Sequence, residues 1–258
     1  MPISSDIDLS ILQNMHSETK RQWRYLSETD STNAEISRSL ADHPTNEGLI
    51  VLAESQTGGK GRLGRVWHSA PGTGIYISTL IRPNLPPEQL PILTLMAGLA
   101  TTIAVNKFIP QPAQLKWPND LLLNGKKIAG VLCEYHSAKT PAVIIGIGIN
   151  VSHTQFPAEI KDIATSLKLE SGIDIDRIAL IKSLVTQLDF QYSELKKNKV
   201  ESLIDNWTRH TDLFGKTITL KKSNQSITGK AIRLDNLGRL IIANETGEET
   251  ALDSGEVG

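Results

Sequence analysis

The stretch that most restricts the fold lies between residues 113 and 149, where short apolar runs alternate with turn signals. Asn124-Gly125 falls between two of these runs, and both of its residues tolerate positive φ, which is typical of a two-residue hairpin turn. The stretch therefore predicts a strand-rich region that contains a hairpin. Its predicted strands are Ala113–Lys116, Leu121–Leu123, Lys127–Glu134 and Ala142–Ile149.

Helical periodicity and strand alternation organise the chain on both sides of this region. A capping box formed by Thr32 and Glu35 predicts a helix that ends at about Ala41. Further helices are predicted over Leu9–His16, Glu88–Phe108, Asp176–Lys196 and Val200–His210. Further strands are predicted over Trp23–Ser27, Leu49–Ala53 and Ile75–Ile81.

From Gly215 onward the pattern changes to short β-like segments separated by Asn, Gly and Asp turns. We interpret this part as a small β-barrel of about 45 residues, appended to a larger α+β domain. The predicted divisions are an N-terminal extension (1–22), a large domain (23–213) and a C-terminal domain (214–258). The C-terminal segments are Thr217–Lys221, Ser226–Arg233, Leu240–Ala243 and Thr250–Asp253.

Composition restricts the class of partner. Lys and Arg total 27 against 28 acidic residues, without the basic surplus that binding to a nucleic-acid backbone usually requires. About 22 residues precede the first predicted strand, too few for a three-helix DNA-reading module. We therefore expect no specific DNA binding.

The only cysteine, Cys133, excludes an intramolecular disulfide and a cysteine-based zinc site, and we interpret it as a small buried apolar residue. The polar, acidic start of the chain lacks a signal-peptide pattern, and the apolar runs are shorter than the ~20 residues that cross a bilayer. We expect a cytoplasmic protein that does not insert into a membrane.

The densest functional signal is the run Thr57–Arg65, which holds four glycines together with Lys60, Arg62 and Arg65. Glycines let backbone N–H groups approach an anion closely, and the basic side chains add positive charge. One interpretation is a loop that closes over a phosphate-bearing ligand, and the other is an ordinary solvated loop. The spacing matches neither a Walker A loop nor a Rossmann turn.

Three further motifs each have a functional and a structural interpretation. Lys116–Asp120 places a lysine, an amide and a carboxylate at a strand end, where they could meet Mg²⁺ and phosphates or simply form a turn. Lys126 and Lys127 enter an apolar strand, which either requires an anion or flanks a hairpin at the surface. The glycines of Gly146–Asn150 mark the close approach of a ligand or plain core packing, and Asn150 could contact a base or sugar.

The six histidines do not cluster, and neither HExxH nor GxSxG is present. Hydrolytic zinc sites and serine triads therefore have no support, and His68 is interpreted as structural.

Taken in order, the motifs resemble those of the biotin protein ligases. The resemblance runs from about residue 23 to the end of the chain. Its matching stretches are Thr29–Asn33, Gln56–Arg65 with Trp67, KWPND at 116–120, KIAG at 127–130, GIGIN at 146–150 and the final strand at Gly255–Val257.

The resemblance implies an α+β fold, with a mixed-sheet catalytic domain of the biotin/lipoate ligase type and a small SH3-like C-terminal barrel. It also implies a two-step reaction. Biotin and ATP first form biotinyl-5′-adenylate and pyrophosphate, with Mg²⁺ present. A lysine of a biotin carboxyl carrier protein then takes the biotinyl group and releases AMP.

The resemblance also implies roles for individual residues, with Lys127 and Arg62 as the catalytic pair and Asp120 beside Mg²⁺. The implied biotin-binding residues are Ser31, Thr32, Asn33, Gln56, Lys60, Gly61, Arg62, Trp67, Lys127 and Gly130. The implied ATP-binding residues are Lys60, Arg62, Arg65, Lys116, Asn119, Lys127 and Asn150.

Two departures from the family pattern affect nucleotide binding. Lys60 stands where the family usually has arginine, and the sequence ends at Gly258, where relatives often continue with a basic residue. The alternatives are a lipoate or octanoate ligase of the same superfamily, a biotin-sensing repressor and a non-catalytic biotin sensor. The sequence leaves open whether a homodimer forms and which carboxylase supplies the acceptor.

Overall fold

The computed structural model describes residues 7–13, 21–42, 47–137, 141–222 and 225–257. Most predicted helices and strands are confirmed, and two short 3₁₀ turns (Arg62–Gly64 and Pro87–Gln89) are added. The helices are α1 (Leu9–Gln13), α2 (Thr32–Asp42), α3 (Pro91–Val105), α4 (Leu167–Ser171), α5 (Arg177–Lys196) and α6 (Val200–Thr208). The strands are β1 (Gln22–Leu26), β2 (Leu49–Ala53), β3 (Gly74–Ile81), β4 (Gln114–Lys116), β5 (Asp120–Leu123), β6 (Lys126–His136), β7 (Ala142–Asn150), β8 (Thr217–Lys222), β9 (Gln225–Leu234), β10 (Leu240–Ala243), β11 (Glu249–Leu252) and β12 (Glu256–Val257).

A mixed seven-stranded sheet organises the large domain in the order β1-β2-β3-β7-β6-β5-β4. Strands β1 and β2 are parallel, and the other neighbours are antiparallel. The predicted hairpin between β5 and β6 is confirmed, with positive φ at Asn124 (51°) and Gly125 (78°). The α+β class and the mixed sheet are therefore both confirmed.

The two faces of this sheet are covered differently. Residues of β3 and β7 that alternate with the glycines, such as Ile77 and Ile145, pack into the main core beneath α3 and α5. The opposite face carries a small apolar cluster, including Leu80 and Ile144, against Ile36 of α2. The remainder of that second face is available for a binding site.

Helix α3 is the central helix of the main core, with twelve of its fifteen residues buried. It begins three residues later than predicted, because Pro91 occupies its first turn and the preceding residues form the 3₁₀ turn. Among the described residues, Pro87–Val105 is the one helical stretch long and apolar enough to span a membrane, and 67% of its most apolar window is buried inside the protein.

The predicted N-terminal extension packs onto the large domain where the structure describes it. Ile7 and Leu12 are buried in the main core, and α1 contacts β1 and α5. The helix predicted to end at His16 is described only as far as Gln13, and residues 14–16 lie outside the described ranges.

The C-terminal domain is a five-stranded antiparallel sheet in the order β11-β10-β9-β8-β12. Its strands match the four predicted segments, and β12 is the final strand that the family resemblance implied. The domain packs on the large one where the Trp117 indole N–H donates to the Gly238 carbonyl oxygen at 3.1 Å. This contact joins the KWPND motif to the small domain.

The predicted capping box of α2 is wrong, although the helix itself is confirmed. Ser31 precedes the helix, and its carbonyl oxygen accepts a hydrogen bond from the Glu35 N–H at 3.0 Å. Thr32 lies inside the helix, and both its N–H and its hydroxyl contact Gln56 instead. Thr32 therefore binds Gln56, a residue distant in the sequence, and does not cap the helix.

Cys133 packs against the main core, and burial raises the pKa of its thiol to about 11. The predicted apolar contact of this cysteine is confirmed, but its side chain is only partly buried and not fully buried as expected.

A buried ion pair ties α5 to the end of β2. The Arg177 guanidinium lies 2.8 Å from Glu54 Oε1, and the side chains are 3% and 5% exposed. Glu54 also accepts hydrogen bonds from the Tyr25 hydroxyl and the Gly72 N–H, both at 2.7 Å. Because Glu54 stands two residues before Gln56, this pair fixes the main chain just before the glycine-rich loop.

We expect the Arg177→Met variant to lose about 3–5 kcal/mol of unfolding free energy, because it leaves a buried carboxylate without its cation. Urea denaturation measures the loss. The matched control is Lys216→Met, which breaks an ion pair between side chains that are 58% and 60% exposed and should cost less than about 1 kcal/mol. Equal losses of unfolding free energy in the two variants would show that the buried ion pair does not stabilise the fold more than the exposed one.

Candidate active site

A cavity lies on the face of the large sheet that carries α2. Its walls come from the start of α2, the glycine-rich loop, the turn before β5, and strands β6 and β7. The lining residues are Ser31, Thr32, Asn33, Gln56, Lys60, Gly61, Arg62, Trp67, Asn119, Lys127, Gly130, Val131, Leu132, Gly146, Ile147 and Gly148. All ten residues assigned to biotin by resemblance line this cavity.

Glycines form part of the cavity floor. Gly130 of β6 pairs with Gly148 of β7. Two residues earlier on β7, Gly146 pairs with Leu132 of β6 on one side and with Ser78 of β3 on the other. A Cβ atom on Gly148 would lie 2.4 Å from the Trp67 indole, and one on Gly146 would lie 2.3 Å from Asn33 Oδ1. Close approach does occur at these glycines, but the approaching groups are side chains of the cavity wall, and contact with a ligand stays a prediction.

One end of the cavity is lined by hydrogen-bonding side chains. Ser31, Thr32 and Asn33 at the start of α2 are 3–4% exposed. Gln56 Oε1 accepts a hydrogen bond from the Thr32 N–H at 2.8 Å, and Gln56 Nε2 donates to Ser69 Oγ at 2.8 Å. This end therefore presents a fixed set of donors and acceptors inside a buried pocket.

The other end of the cavity is cationic. Lys127 Nζ forms an ion pair with Asp120 Oδ1 at 2.6 Å and lies 5.3 Å from the centroid of the Trp67 ring. Within the described residues, the buried indole N–H of Trp67 has no hydrogen-bond partner. A buried donor without a partner at a cavity wall is suited to a ligand acceptor.

The glycine-rich loop folds back on itself beside the cationic end. Gly61 N–H donates to the Arg65 carbonyl at 2.7 Å, and Trp67 N–H donates to the Gly59 carbonyl at 2.8 Å. The turn at its tip has positive φ at Leu63 (56°) and Gly64 (75°). Leu63 at this tip is 82% exposed, so the apex of the loop projects into solvent.

Arg62 connects this loop to the KWPND turn. Its guanidinium donates to Asn119 Oδ1 at 3.0 Å, and Asn119 Nδ2 donates to the Val131 carbonyl at 3.0 Å. Two sequence motifs that are far apart along the chain are thereby held over the same cavity.

The base of the loop is held at the start of α2. Gly58 N–H donates to the Asp30 carbonyl at 2.8 Å. The Arg38 guanidinium, 2.7 and 2.9 Å from the two Asp30 carboxylate oxygens, holds the pKa of that carboxyl well below its usual range. The Asp30 carboxylate thus stays charged and also accepts from the Ser31 N–H at 2.7 Å.

Four of the predicted site residues do not line the cavity, namely Arg65, Lys116, Asp120 and Asn150. Arg65 is exposed on the loop, and Lys116 lies on β4 opposite Asp120 of β5. The Asn150 side chain is buried and donates to the Thr165 carbonyl at 3.0 Å, so the structure gives it a structural partner in place of a base. The nucleotide role of Asn150 stays a prediction.

A protein-built metal centre is not evident in the described part of the chain, which holds no cluster of three or more His, Cys, Asp or Glu side chains. Asp120 contributes one carboxylate, and that carboxylate already pairs with Lys127. A cation at this end would therefore depend on oxygen ligands from a substrate.

Sequence reasoning missed three residues that orient the polar end of the cavity. Ser69 is the acceptor for Gln56, Ser78 lies beneath Asn33, and Glu134 accepts from the Asn33 amide. The alternation of β3 predicts only which face Ser78 occupies. The identity of its partner depends on the packing of α2 across the sheet.

Comparison with known proteins is consistent with this geometry. The biotin/lipoate A/B protein ligase family matches residues 25–150, a range that holds every residue of the predicted site. The biotin protein ligase C-terminal domain matches residues 213–257. The second match begins within one residue of the predicted domain boundary.

Individual relatives show the same relationship. A bifunctional ligase/repressor BirA from Bacillus spizizenii is 36% identical over 84% of this chain and 68% of its own length. A biotin–[acetyl-CoA-carboxylase] ligase from Mycobacterium tuberculosis is 32% identical over 92% of this chain and 88% of its own. The structure of the Aquifex aeolicus biotin protein ligase in complex with biotin and ATP superposes with a TM-score of 0.79, at 32% identity over 93% of this chain and 98% of that one.

Proposed function

The chain belongs to the biotin/lipoate A/B protein ligase family, and on that basis we propose that it is an ATP-dependent biotin protein ligase. In this proposal it activates biotin as biotinyl-5′-adenylate and transfers the biotinyl group to a lysine of a biotin carboxyl carrier protein. The relatives named as acetyl-CoA-carboxylase ligases support an acceptor of this kind.

The observation that carries the proposal is the polarity of the cavity. One end offers donors and acceptors at the buried Ser31 and Thr32 and the partly buried Gln56, and the other offers the cations of Lys127 and Arg62. Biotin has the matching asymmetry, with a neutral ureido ring at one end and a carboxylate at the other. A ligand seated this way would direct its carboxylate toward the cationic end, where ATP phosphates would also be attracted.

In the first step, a biotin carboxylate oxygen attacks the α-phosphorus of ATP, and the bond from that phosphorus to the bridging oxygen of the β-phosphate breaks. Pyrophosphate leaves, and a mixed anhydride remains. Lys127, Lys60 and Arg62 line the site where negative charge accumulates, so their task is to orient the phosphates and stabilise the charge.

In the second step, the neutral ε-amine of the acceptor lysine attacks the acyl carbon of the anhydride. The amide forms, AMP leaves with the phosphate oxygen, and the nitrogen loses a proton. Because water competes for the same acyl carbon, the loop that carries Lys60 and Arg62 would protect the intermediate until the carrier arrives.

The donor set at the cationic end fits a magnesium ion that arrives with ATP. Mg²⁺ keeps several waters and takes one or two carboxylates together with phosphate oxygens, and Asp120 is the carboxylate within reach of Lys127. When bound, the ion would neutralise phosphate charge. Asp120 would then exchange its contact with Lys127 for one with the ion or its waters, which would free Lys127 for the substrates.

We expect the Asp120→Asn variant to need about tenfold more Mg²⁺ for half-maximal adenylation, as loss of one charged ligand contact implies. A Mg²⁺ titration of ATP–pyrophosphate exchange at saturating biotin measures this. Asp162→Asn, a change at an exposed carboxylate outside the cavity, is the control. A titration curve identical to that of the wild type would remove Asp120 from the metal site.

The function itself is tested by ATP–pyrophosphate exchange, with biotin, lipoate or octanoate supplied as the only acid. We expect exchange with biotin alone. Exchange with lipoate or octanoate would assign the chain to the lipoate branch of the same family. Biotin binding without any exchange would show a sensor instead of an enzyme.

We expect Arg62→Ala to release biotinyl-adenylate before transfer, because the variant loses the charged hydrogen bond from the loop to Asn119. Biotin label on a bystander protein such as serum albumin should rise by about tenfold or more. Leu63→Ala is the matched control, since Leu63 is 82% exposed at the tip of the same loop and lies outside the cavity lining. Bystander labelling equal in the two variants would contradict a retaining role for Arg62.

A further inference from the structure

Glu134 lies behind the wall of the binding cavity, where it contacts the lining residue Asn33. It lies on β6 two positions beyond Leu132 and four beyond Gly130, so strand alternation places it on the same face of the sheet. Its Oε2 accepts a hydrogen bond from Asn33 Nδ2 at 2.6 Å. It is absent from the cavity lining.

This contact decides which way the Asn33 amide points. A carboxylate only accepts hydrogen bonds, so the Asn33 NH₂ group must face Glu134 and Oδ1 must face the other way. Asn33 is 4% exposed, and Ser78 Oγ lies 2.6 Å from that Oδ1. The amide is therefore held between a fixed acceptor and a hydroxyl that donates to it.

The same orientation continues along the cavity wall through Ser78. Its fully buried hydroxyl lies 2.6 Å from both Asn33 Oδ1 and Thr32 Oγ1, and it has one proton to donate. Because an amide oxygen cannot donate, Ser78 supplies the proton in its contact with Asn33 Oδ1, and the Thr32 hydroxyl donates its own proton to Gln56 Oε1 at 3.2 Å. One carboxylate thus sets the direction of the hydrogen bonds at Asn33 and Ser78.

We propose that Glu134 is a positioning residue for recognition of the biotin ureido ring, acting through the orientation of the Asn33 amide. This inference rests on the proposed function. The ureido ring carries two N–H donors, and they require acceptors at the polar end of the cavity. With Glu134 present, Asn33 Oδ1 keeps a lone pair available there.

The test uses Glu134→Gln, which keeps the shape and removes the exclusive acceptor. A glutamine amide can donate or accept, so the Asn33 amide can reverse and present a donor where biotin also presents one. We expect the KM for biotin in ATP–pyrophosphate exchange to rise about 10- to 100-fold. The exchange kcat, the KM for ATP and the thermal unfolding midpoint should stay as in the wild type, which distinguishes positioning from a structural role.

A reciprocal variant provides the rescue. In Asn33→Asp/Glu134→Gln, the introduced carboxylate accepts in either rotamer, and the glutamine amide donates to it. We expect the KM for biotin, which Glu134→Gln raises, to return most of the way to the wild-type value in this double variant. Glu159→Gln, which removes one exposed negative charge outside the cavity, should leave the KM for biotin unchanged.

The proposal is overturned if Glu134→Gln leaves the KM for biotin unchanged, changes the KM for ATP equally, or is not rescued by the double variant. If the wild type shows no biotin-dependent exchange, the proposed enzymatic function fails. In that case the dissociation constant for biotin, measured by calorimetry in the same variants, replaces the KM. No binding of biotin by the wild type would overturn this inference as well.

Discussion

Replacing Lys127 with alanine should lower the rate of biotin-dependent ATP–pyrophosphate exchange by about 10²–10³-fold, the usual cost of removing one group that stabilises transition-state charge. Lys127 is the cation at the centre of the charged end of the cavity. Its Nζ lies between the Asp120 carboxylate and the face of the Trp67 indole. Both contacts hold the ammonium where the carboxylate and the α-phosphate are proposed to meet.

The fold should tolerate this change, because the main chain at Lys127 is held independently of its side chain. Its N–H donates to the Ile163 carbonyl at 2.8 Å, and its carbonyl accepts from the Thr165 N–H at 3.0 Å. Biotin binding, measured by calorimetry, should therefore persist in the variant.

Lys126→Ala is the matched control, since Lys126 is the neighbouring lysine, is exposed and does not line the cavity. It should retain the wild-type exchange rate. Comparable losses in both variants would mean that the positive charge of the hairpin as a whole matters, and that Lys127 has no particular place in the reaction.

Gly148→Ala should raise the KM for biotin by about 10²-fold, the cost of a displacement of about 1 Å in a site that depends on precise positioning. The added Cβ would lie 2.4 Å from the Trp67 indole, inside its van der Waals contact. The ring would have to leave its place against β7, and the cavity wall and the contact to Lys127 would be displaced with it. Steady-state exchange kinetics at saturating ATP measure the change.

The control for this variant is Ile149→Val, one residue further along β7 on the face that packs into the main core. It should cost about 0.5–1.5 kcal/mol of unfolding free energy and leave the KM for biotin unchanged. If Gly148→Ala instead lowers stability without changing that KM, the glycine serves packing alone.

Local pattern in the sequence was sufficient for most helices and strands. The alternation in Ile75–Ile81 predicts a strand, and the Asn124-Gly125 pair predicts a turn. Both signals come from residues adjacent in the sequence, and the structure has β3 and the hairpin at these positions. The short helix α4 was missed although its signals are local: Ser166 Oγ accepts from the Leu169 N–H at 3.1 Å, and Gly172 ends the helix at φ 72°. Both of these signals for α4 are present in the local sequence.

The composition of the site was also accessible from the sequence, because its motifs have unusual local chemistry. Glycines within the β-branched run of β7 and basic residues among the loop glycines stand out without any structure. The assignment of Thr32 to a helix cap failed for the opposite reason, since the partner of Thr32 is Gln56, 24 residues away.

What only the tertiary structure decided is how the polar groups are paired. Arg62 meets Asn119 across 57 residues, Ser78 meets Asn33 across 45, and Glu134 meets Asn33 across 101. These pairs exist because the strand order places β3, β7 and β6 side by side beneath α2 and the loop. Periodicity determines which face of a strand a residue occupies, whereas strand order and packing determine which residue it meets there, and that information is not local.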